Sequence, residues 1–335
     1  MGDMEVLRQL VWNPANEAAW SKVRALPAAC AAKIFIRAAF LGSVCEALIE
    51  RHYVLHHRSE KVRDLNLAFA QELRAVAFLR EFLEFSEPDD LEVVEGHSDK
   101  ITSVMMLMAT HESPVYLREF SASAVREMSA MCQPPFGLLH NSLYRTFDVL
   151  DDLFGLDYGA DRAMDFTARE GERIFAGAGK GVQSSYLSLF MALRQLPQKP
   201  LKMIDLGSGY GRVGLTAGLL NPDWSFMGYE FVGHRVDSAN AAAERLGLNP
   251  QILFLRQDLA EKGFELPSAD VYYLYDPFNA STYLRMLDQI NKNRLSSPTS
   301  IIAKGGALQA VQKAMVDWGE PRLIDDGHLG LFVTR

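Results

Sequence analysis

The first 150 residues place their apolar side chains at the spacing of an α-helix. In one stretch they recur every three or four positions, as on one face of an amphipathic helix: Leu65, Phe69, Leu73, Val76, Leu79 and Leu83. Stretches rich in Ala, Leu, Glu and Arg, which favour helices, cover Glu17–Leu26, Ala31–Arg51, Ser59–Phe85 and Pro114–Met131. Glycine and proline fall mainly between these stretches, as in Ser86–Asp90. The pattern predicts an all-α domain over residues 1–150.

From about Tyr158 the pattern changes to short, β-rich apolar runs that alternate with helical ones. The predicted strands are Leu201–Leu206, Ser225–Phe231, Ile252–Arg256, Val271–Tyr275, Ser300–Ala303, Arg322–Ile324 and Leu329–Val333. The predicted helices between them are Arg212–Leu220, Arg235–Leu246, Ser281–Arg294 and Ala307–Trp318. Strands that alternate with crossover helices form a parallel sheet covered on both faces, whereas the two closing runs are typical of an antiparallel hairpin. The sequence thus predicts a doubly wound α/β domain over residues 151–335, with a mostly parallel seven-stranded sheet.

The composition is that of a globular chain and narrows the classes of partner. Of 335 residues 48% are hydrophobic, and 34 Lys and Arg against 42 Asp and Glu give a net charge of −8. An acidic chain is a weak candidate for a dedicated nucleic-acid binder. The most apolar stretch, Ala25–Ile49, is interrupted by Lys33, Arg37 and Glu46, so it lacks the roughly 18 uncharged residues of a membrane span. With an acidic start and three widely spaced cysteines, the expectation is a cytoplasmic protein without membrane contact.

A glycine-rich loop follows the first predicted strand. The strand runs into Asp205, and glycines then stand at every second position, Gly207, Gly209 and Gly211, with Ser208 between the first two. Glycine lets the backbone turn sharply and lets a ligand approach where a Cβ would block it. Ligands of such sheets bind beyond the carboxyl ends of the strands. The loop therefore predicts a site for an adenosyl-type cofactor, and it is not a phosphate loop because no Gly-Lys-Ser/Thr follows.

Two acids bear on which class of cofactor this loop would bind. Dinucleotide enzymes favour Gly-x-Gly-x-x-Gly, which seats a pyrophosphate on a helix N-terminus, whereas the spacing here is Gly-x-Gly-x-Gly. Asp205 would repel a pyrophosphate and attract an ammonium or a sulfonium. Glu230, at the end of the second predicted strand, can accept hydrogen bonds from both ribose hydroxyls in either class. The charge of Asp205 favours an adenosyl cofactor, and a nicotinamide oxidoreductase is the alternative.

With these motifs the sequence resembles the class I S-adenosylmethionine-dependent methyltransferases, over roughly residues 177–335. The resemblance implies that the loop Asp205–Gly211 lies under the methionine part of the cofactor and that Glu230 binds the ribose. It also implies that Asp258, after the third predicted strand, meets the adenine amino group. S-adenosyl-L-methionine is the cofactor so implied, and no metal is expected.

Within that class the glycine loop and an upstream Gly-Val-Gln-Ser segment are locally similar to the Dot1-like lysine methyltransferases. This similarity implies that Gln183 and Ser184 touch the methionine part of the cofactor. It also makes a protein lysine amine the first-ranked methyl acceptor, with a small molecule second. Nucleic acid ranks third because the chain is acidic.

A fourth motif, Tyr275-Asp276-Pro277-Phe278, follows the fourth predicted strand. In the family this position lies beside the transferred methyl group, so the resemblance implies that Asp276 borders the cofactor and orients or deprotonates an acceptor amine. Tyr275 and Phe278 are the further catalytic candidates, and Tyr273 is a candidate to line the acceptor position. Enzymes that methylate bases or amides carry two prolines here, and this chain has one, which disfavours a base or an amide as the acceptor.

Several of these residues also have a purely structural interpretation. Asp258 can cap a helix before Leu259, and Asp276 can be the acid of a strand-to-helix turn. His52 and His56 have a metal-like spacing, but no third ligand is near in the sequence, so a solvated helix end is favoured. At the level of function, a non-catalytic module that binds the cofactor or a partner is the third alternative.

Overall fold

The computed structural model describes residues 13, 16–40, 88–132, 148–162, 183–277, 280–294 and 298–334. The chain divides into two compact units, Met1–Leu153 and Phe154–Arg335. In the part of the chain that is described, none of the helices is long and apolar enough to cross a membrane. The histidines at 52 and 56 lie outside it, and within it no three His, Cys, Asp or Glu side chains are grouped as metal ligands.

The described elements of the first unit are helices. They are α1 (Glu17–Arg24), α2 (residues 28–40), α3 (Pro88–His111), α4 (Pro114–Met131) and α5 (Val149–Phe154), which ends at the start of the second unit. Helix α4 has its predicted bounds because the Ser113 hydroxyl accepts a hydrogen bond from the Tyr116 amide at 3.2 Å and Pro114 opens the helix. Helix α3 begins at Pro88, inside a stretch expected to separate two helices. The helices predicted beyond residue 40 and over 59–85 lie outside the described residues, so the all-α domain stays a prediction.

One sheet of seven strands forms the centre of the second unit. The strands are β1 (Lys202–Leu206), β2 (Ser225–Glu230), β3 (Ile252–Arg256), β4 (Val271–Tyr275), β5 (Ser300–Lys304), β6 (Arg322–Ile324) and β7 (Leu329–Val333). Their order is β3-β2-β1-β4-β5-β7-β6, parallel from β1 to β5 and antiparallel where β7 pairs with β5 and β6. The predicted mostly parallel sheet with its antiparallel closing pair is confirmed. Because the strand order reverses between β1 and β4, a ligand site is expected beyond their carboxyl ends.

Helices cover both faces of this sheet. They are α6 (Gly159–Arg162), α7 (Tyr186–Leu193), α8 (Arg212–Leu220), α9 (Gly233–Arg245), α10 (Ala280–Asn293) and α11 (Gly306–Ala314). Side chains of α10 and α11 join Ile204, Tyr272 and Ile301 in one buried apolar cluster, while α8 and α9 pack on β2 and β3. Helix α11 ends four residues earlier than predicted, because Met315 leaves the helical conformation (φ −115°, ψ 49°) and 316–318 form a separate 3₁₀ turn.

Candidate functional site

The glycine loop connects β1 to α8 where the strand order reverses. The amides of Gly207 and Ser208 both donate to the carbonyl oxygen of Tyr229, at 2.8 and 2.9 Å, which holds the loop against the end of β2. Gly211 has a φ of +85°, and a Cβ on it would lie 2.7 Å from the ring of Phe254. Only glycine meets both conditions. The chain therefore turns from strand into helix within the loop that the sequence marks as a ligand site.

Asp205 is a buried carboxylate that makes no hydrogen bond to any described residue. It is 2% exposed. Burial, and after it the negative charge of Glu230, raises the pKa of Asp205 well above its usual value. Its register neighbours are Tyr273 in β4 and Gly228 in β2, which has no side chain. Such an acid favours a bound cation, because a positive charge restores the stabilisation that burial removes from the carboxylate.

Glu230 joins the end of β2 to both neighbouring turns. One carboxylate oxygen accepts a hydrogen bond from the Gly209 amide at 2.9 Å, and the other accepts one from the Val232 amide at 2.9 Å. The residue is 7% exposed. The sequence predicted a ribose-binding acid here. The structure shows an acid that fixes the glycine loop and the start of α9, and each oxygen keeps a second lone pair for a ligand hydroxyl.

The upstream segment that contains Gln183 and Ser184, predicted to touch the methionine part of the cofactor, lies against the glycine loop through Gln183. A Cβ on Gly209, whose φ is +54°, would lie 2.8 Å from the side-chain oxygen of Gln183. The Ser184 hydroxyl, however, is hydrogen-bonded to the Tyr273 hydroxyl at 2.7 Å, and its carbonyl oxygen accepts from Arg212 at 3.1 Å. Ser184 therefore ties this segment to β4 and α8, and Gln183 is the residue of the two that lies over the loop.

Asp258 stands at the end of β3, half-buried, in a turn that Arg285 supports. Its Oδ1 accepts a hydrogen bond from the Ala260 amide at 2.7 Å, and Arg285 donates to the Ala260 carbonyl oxygen at 2.8 Å. One carboxylate oxygen thus has a capping role, but in a turn and not in the helix that the structural alternative predicted before Leu259. The second oxygen makes no hydrogen bond within the described residues and is available to a ligand donor.

Asp276 follows β4 with a φ of +44° and points its carboxylate at the start of α11. Its Oδ1 accepts a hydrogen bond from the Ala307 amide at 3.0 Å, and the same oxygen lies 2.9 Å from where a Cβ on Gly306 would be. The predicted catalytic acid therefore caps the helix after the neighbouring strand. Phe278, the other residue predicted beside it, lies outside the described residues.

A buried polar network that the sequence analysis did not predict lies next to Tyr275. The Lys304 ammonium, at the end of β5, is 5.2 Å from the Tyr275 ring centroid and donates to the Ser188 hydroxyl at 2.9 Å. Ser188 in turn donates to Asp325, and the hydroxyls of Ser185 and Ser188 are 2.8 Å apart. Buried charges are stabilised by such partners. A charged residue that closes an apolar strand, as Lys304 does, is the single local signal for this network.

The comparisons with known proteins find structures but no sequence family. No family model and no curated protein matches the chain. Three solved structures that it is similar to are TrmN from Thermus thermophilus, a precorrin-6y C5,15-methyltransferase from Geobacter metallireducens and a polyketide-synthase O-methyltransferase from Brevibacillus brevis in complex with S-adenosyl-L-homocysteine.

These three similarities are partial. With TrmN the identity is 20% over 46% of this chain and 49% of the other, with a TM-score of 0.35. With the precorrin enzyme the identity is 16% over 46% of this chain and 88% of the other, with a TM-score of 0.36. With the O-methyltransferase it is 14% over 38% and 40%, with a TM-score of 0.25. The chain thus spans less than half the length of two of the three structures, TrmN and the O-methyltransferase.

Proposed function

We propose that this chain is an S-adenosyl-L-methionine-dependent methyltransferase. The observation that carries the proposal is the buried Asp205 carboxylate, which no described residue hydrogen-bonds and whose pKa the nearby Glu230 raises further. The methionine part of the cofactor bears an ammonium and a sulfonium, and a carboxylate stabilises either cation. A pyrophosphate would be repelled at the same place, which disfavours a nicotinamide dinucleotide.

The groups around Asp205 fit an adenosyl ligand. The Ser208 hydroxyl is buried and, in the described part of the chain, has no hydrogen-bond partner, so a bound ligand would satisfy it. Glu230 keeps lone pairs for ribose hydroxyls, and Asp258 keeps one oxygen for an amino group. The side-chain oxygen of Gln183 lies 2.8 Å from where a Cβ on Gly209 would be, so Gln183 lies over the loop beside these groups. These residues are the ones we expect to hold the cofactor.

The demands on the protein are those of positioning. S-adenosyl-L-methionine supplies a methyl group already activated on a positively charged sulfur, so the chain has to hold the acceptor in line and exclude water. Tyr273, fixed by Ser184 at 2.7 Å, and Tyr275 line the strand end where we place the acceptor. Asp276 keeps one carboxylate oxygen without a hydrogen bond among the described residues, and this oxygen can orient an amine. A lysine acceptor, with an ordinary pKa near 10.4, would have to lose its proton on burial.

A protein lysine amine is the acceptor we rank first and a small molecule the second. This order rests on the local sequence similarity of the glycine loop and of Gln183 and Ser184 to lysine methyltransferases. Nucleic acid ranks third because the net charge is −8 and the fourth motif has one proline.

Calorimetry with S-adenosyl-L-homocysteine and with NADH tests the cofactor assignment. We expect S-adenosyl-L-homocysteine to bind and Asp205→Asn to weaken it, while NADH does not bind. The matched control is Asp270→Asn, because Asp270 is also an acid beside β1 but lies at the amino end of that strand, where it accepts a hydrogen bond from the Lys202 amide at 2.7 Å. If the chain binds NADH but not S-adenosyl-L-homocysteine, the proposed methyltransferase function is wrong and an oxidoreductase is favoured.

The acceptor is found by incubating the protein with a cell lysate and methyl-labelled S-adenosyl-L-methionine. The lysate is then fractionated into protein, nucleic acid and small molecules. Label that enters the protein fraction and is lost with Asp205→Asn supports the first-ranked acceptor, and label in the small-molecule fraction supports the second.

One observation favours a second function, a non-catalytic module that binds the cofactor. The carboxylate of Asp276, the predicted catalytic acid, is engaged at the start of α11 through Ala307, and the Lys304 ammonium lies against the Tyr275 ring. Both side chains thus have structural roles without any transfer reaction. Tight binding of S-adenosyl-L-homocysteine with no label transferred to any lysate fraction would favour this function.

A further inference from the structure

Asp161 is a buried carboxylate that is bonded to Arg235 and His234 at the start of α9. The Asp161 residue is 1% exposed. Arg235 donates to it twice, from Nε to Oδ1 at 3.0 Å and from Nη2 to Oδ2 at 2.9 Å, and His234 Nε2 lies 2.7 Å from Oδ1. A bidentate guanidinium–carboxylate pair fixes both the distance between the two side chains and their relative orientation. Asp161 therefore holds the first turn of α9 in a defined place.

That first turn is directly connected to Glu230. The amide of Val232 donates to the Glu230 carboxylate at 2.9 Å, and the amide of Arg235 donates to the Val232 carbonyl oxygen at 3.1 Å. Any shift of Arg235 is thus passed through one turn of backbone to the acid at the end of β2.

Tyr158, three residues before Asp161, and Arg235 both contact the glycine loop through Tyr210. The rings of Tyr158 and Tyr210 are 4.3 Å apart between centroids, and the Arg235 guanidinium carbon is 5.9 Å from the Tyr210 ring centroid. Tyr210 lies between Gly209 and Gly211, and the Gly209 amide is the second donor to Glu230. Glu230 accepts hydrogen bonds from two turns, the glycine loop and the start of α9. Tyr158 packs on the first of these turns and Asp161 is bonded to the second.

We infer that Asp161 is a positioning residue for the Glu230 end of the site, the end that takes the nucleoside half of the ligand. This inference rests on the proposed function. It assigns the two halves of the ligand to different acids: Asp205 acts on the charged amino-acid half, and Asp161, through Arg235 and Tyr210, acts on the nucleoside half.

Two ligands separate these roles. S-adenosyl-L-homocysteine has both halves, whereas 5′-methylthioadenosine has the nucleoside and a neutral sulfur but no ammonium. We expect Asp161→Asn to weaken both ligands by a similar factor, roughly tenfold or more, as for the loss of a charged hydrogen bond. We expect Asp205→Asn to weaken S-adenosyl-L-homocysteine alone. A merely structural Asp161 would instead lower Tm on substitution and leave the affinities of the folded variant for both ligands unchanged.

The measurement is calorimetry on the full-length chain, with thermal unfolding of every variant. Asp270→Asn is the control for general destabilisation, and its affinities should equal those of the wild type. If Asp161→Asn does not fold, Arg235→Lys keeps the positive charge, loses the two-pronged geometry and should weaken both ligands. Wild-type affinities for both ligands in the folded variant, or a loss confined to S-adenosyl-L-homocysteine, would overturn the inference. A wild-type chain that binds neither ligand would instead refute the proposed function.

Discussion

Glu230 holds the amide of Gly209 at 2.9 Å on one carboxylate oxygen and the amide of Val232 at 2.9 Å on the other. The glycine loop and the start of α9 are thereby joined through a single side chain of the protein itself. A site that is shaped in advance costs less to order when the ligand arrives. The acid thus shapes the loop, and under the proposed function its remaining lone pairs would bind ribose hydroxyls.

Glu230→Gln should lower both stability and affinity. The glutamine oxygen can accept one of the two amide hydrogen bonds, but its NH₂ group would face the other amide, donor against donor. We expect a loss of about 1–3 kcal/mol in the free energy of unfolding, which corresponds to a fall of about 2–4 °C in Tm for each kcal/mol. Thermal unfolding checks the first effect and calorimetry with S-adenosyl-L-homocysteine the second. An unchanged Tm would show that the two hydrogen bonds contribute nothing to folding.

Asp205→Asn should have the opposite effect on stability. Because the pKa of Asp205 is raised in the folded chain, the folded state binds more protons than the unfolded state above the ordinary value of 3.8. Its stability therefore falls as the pH rises towards the folded pKa. Asparagine removes this penalty, so the gain in Tm over wild type should grow from pH 4 to pH 8. A variant that is less stable than wild type at pH 8 would contradict the prediction.

Ligand binding should release a proton from the same group. An ammonium beside Asp205 favours the ionised carboxylate and lowers its pKa again, so part of the protein population must lose a proton on binding. Titrations of S-adenosyl-L-homocysteine in buffers of different ionisation enthalpy should report this release, and the affinity should rise with pH. Both effects should vanish in Asp205→Asn. A pH-independent affinity in the wild type would show that the ammonium of the ligand does not bind beside Asp205.

The strands were predictable because each is a local run bounded by turn residues. The strands β3 (Ile252–Arg256) and β4 (Val271–Tyr275) have the bounds that the apolar pattern predicted. The glycine loop was predictable for the same reason, since its strand, acid and glycines are consecutive. The end of α11 was not, because Met315 has an ordinary helix propensity and leaves the helix without a glycine or proline to mark the change.

The partners of the site residues were not predictable, because they are far apart in sequence. Asp161 meets Arg235 74 residues later, and no local pattern links the two. Two interpretations of Asp276 were possible from the sequence, and which of them holds for its Oδ1 depends on Ala307, 31 residues away. His234 lies in the first turn of α9, where its side chain is 31% exposed and bonded to the buried Asp161. Sequence spacing identified which strand ends carry acids, but not what those acids contact.

Two substitutions of Asp276, to asparagine and to alanine, distinguish a structural role of this residue from a catalytic one. Its φ of +44° lies in the left-handed region, which asparagine tolerates and alanine does not. Asparagine also keeps an oxygen for the Ala307 amide. Asp276→Asn should therefore keep Tm within about 3 °C of wild type, whereas Asp276→Ala should lose roughly 2–3 kcal/mol, from the cap and the backbone strain together.

Methyl transfer to the acceptor fraction then decides the role of Asp276. If its free oxygen orients the acceptor amine, Asp276→Asn will bind S-adenosyl-L-homocysteine with wild-type affinity and yet transfer label much more slowly. If the residue acts only on α11, the asparagine variant will transfer label at the wild-type rate while the alanine variant loses rate in parallel with stability. An asparagine variant as unstable as the alanine one would show that the negative charge at the helix N-terminus, and not the hydrogen bond, is what stabilises α11.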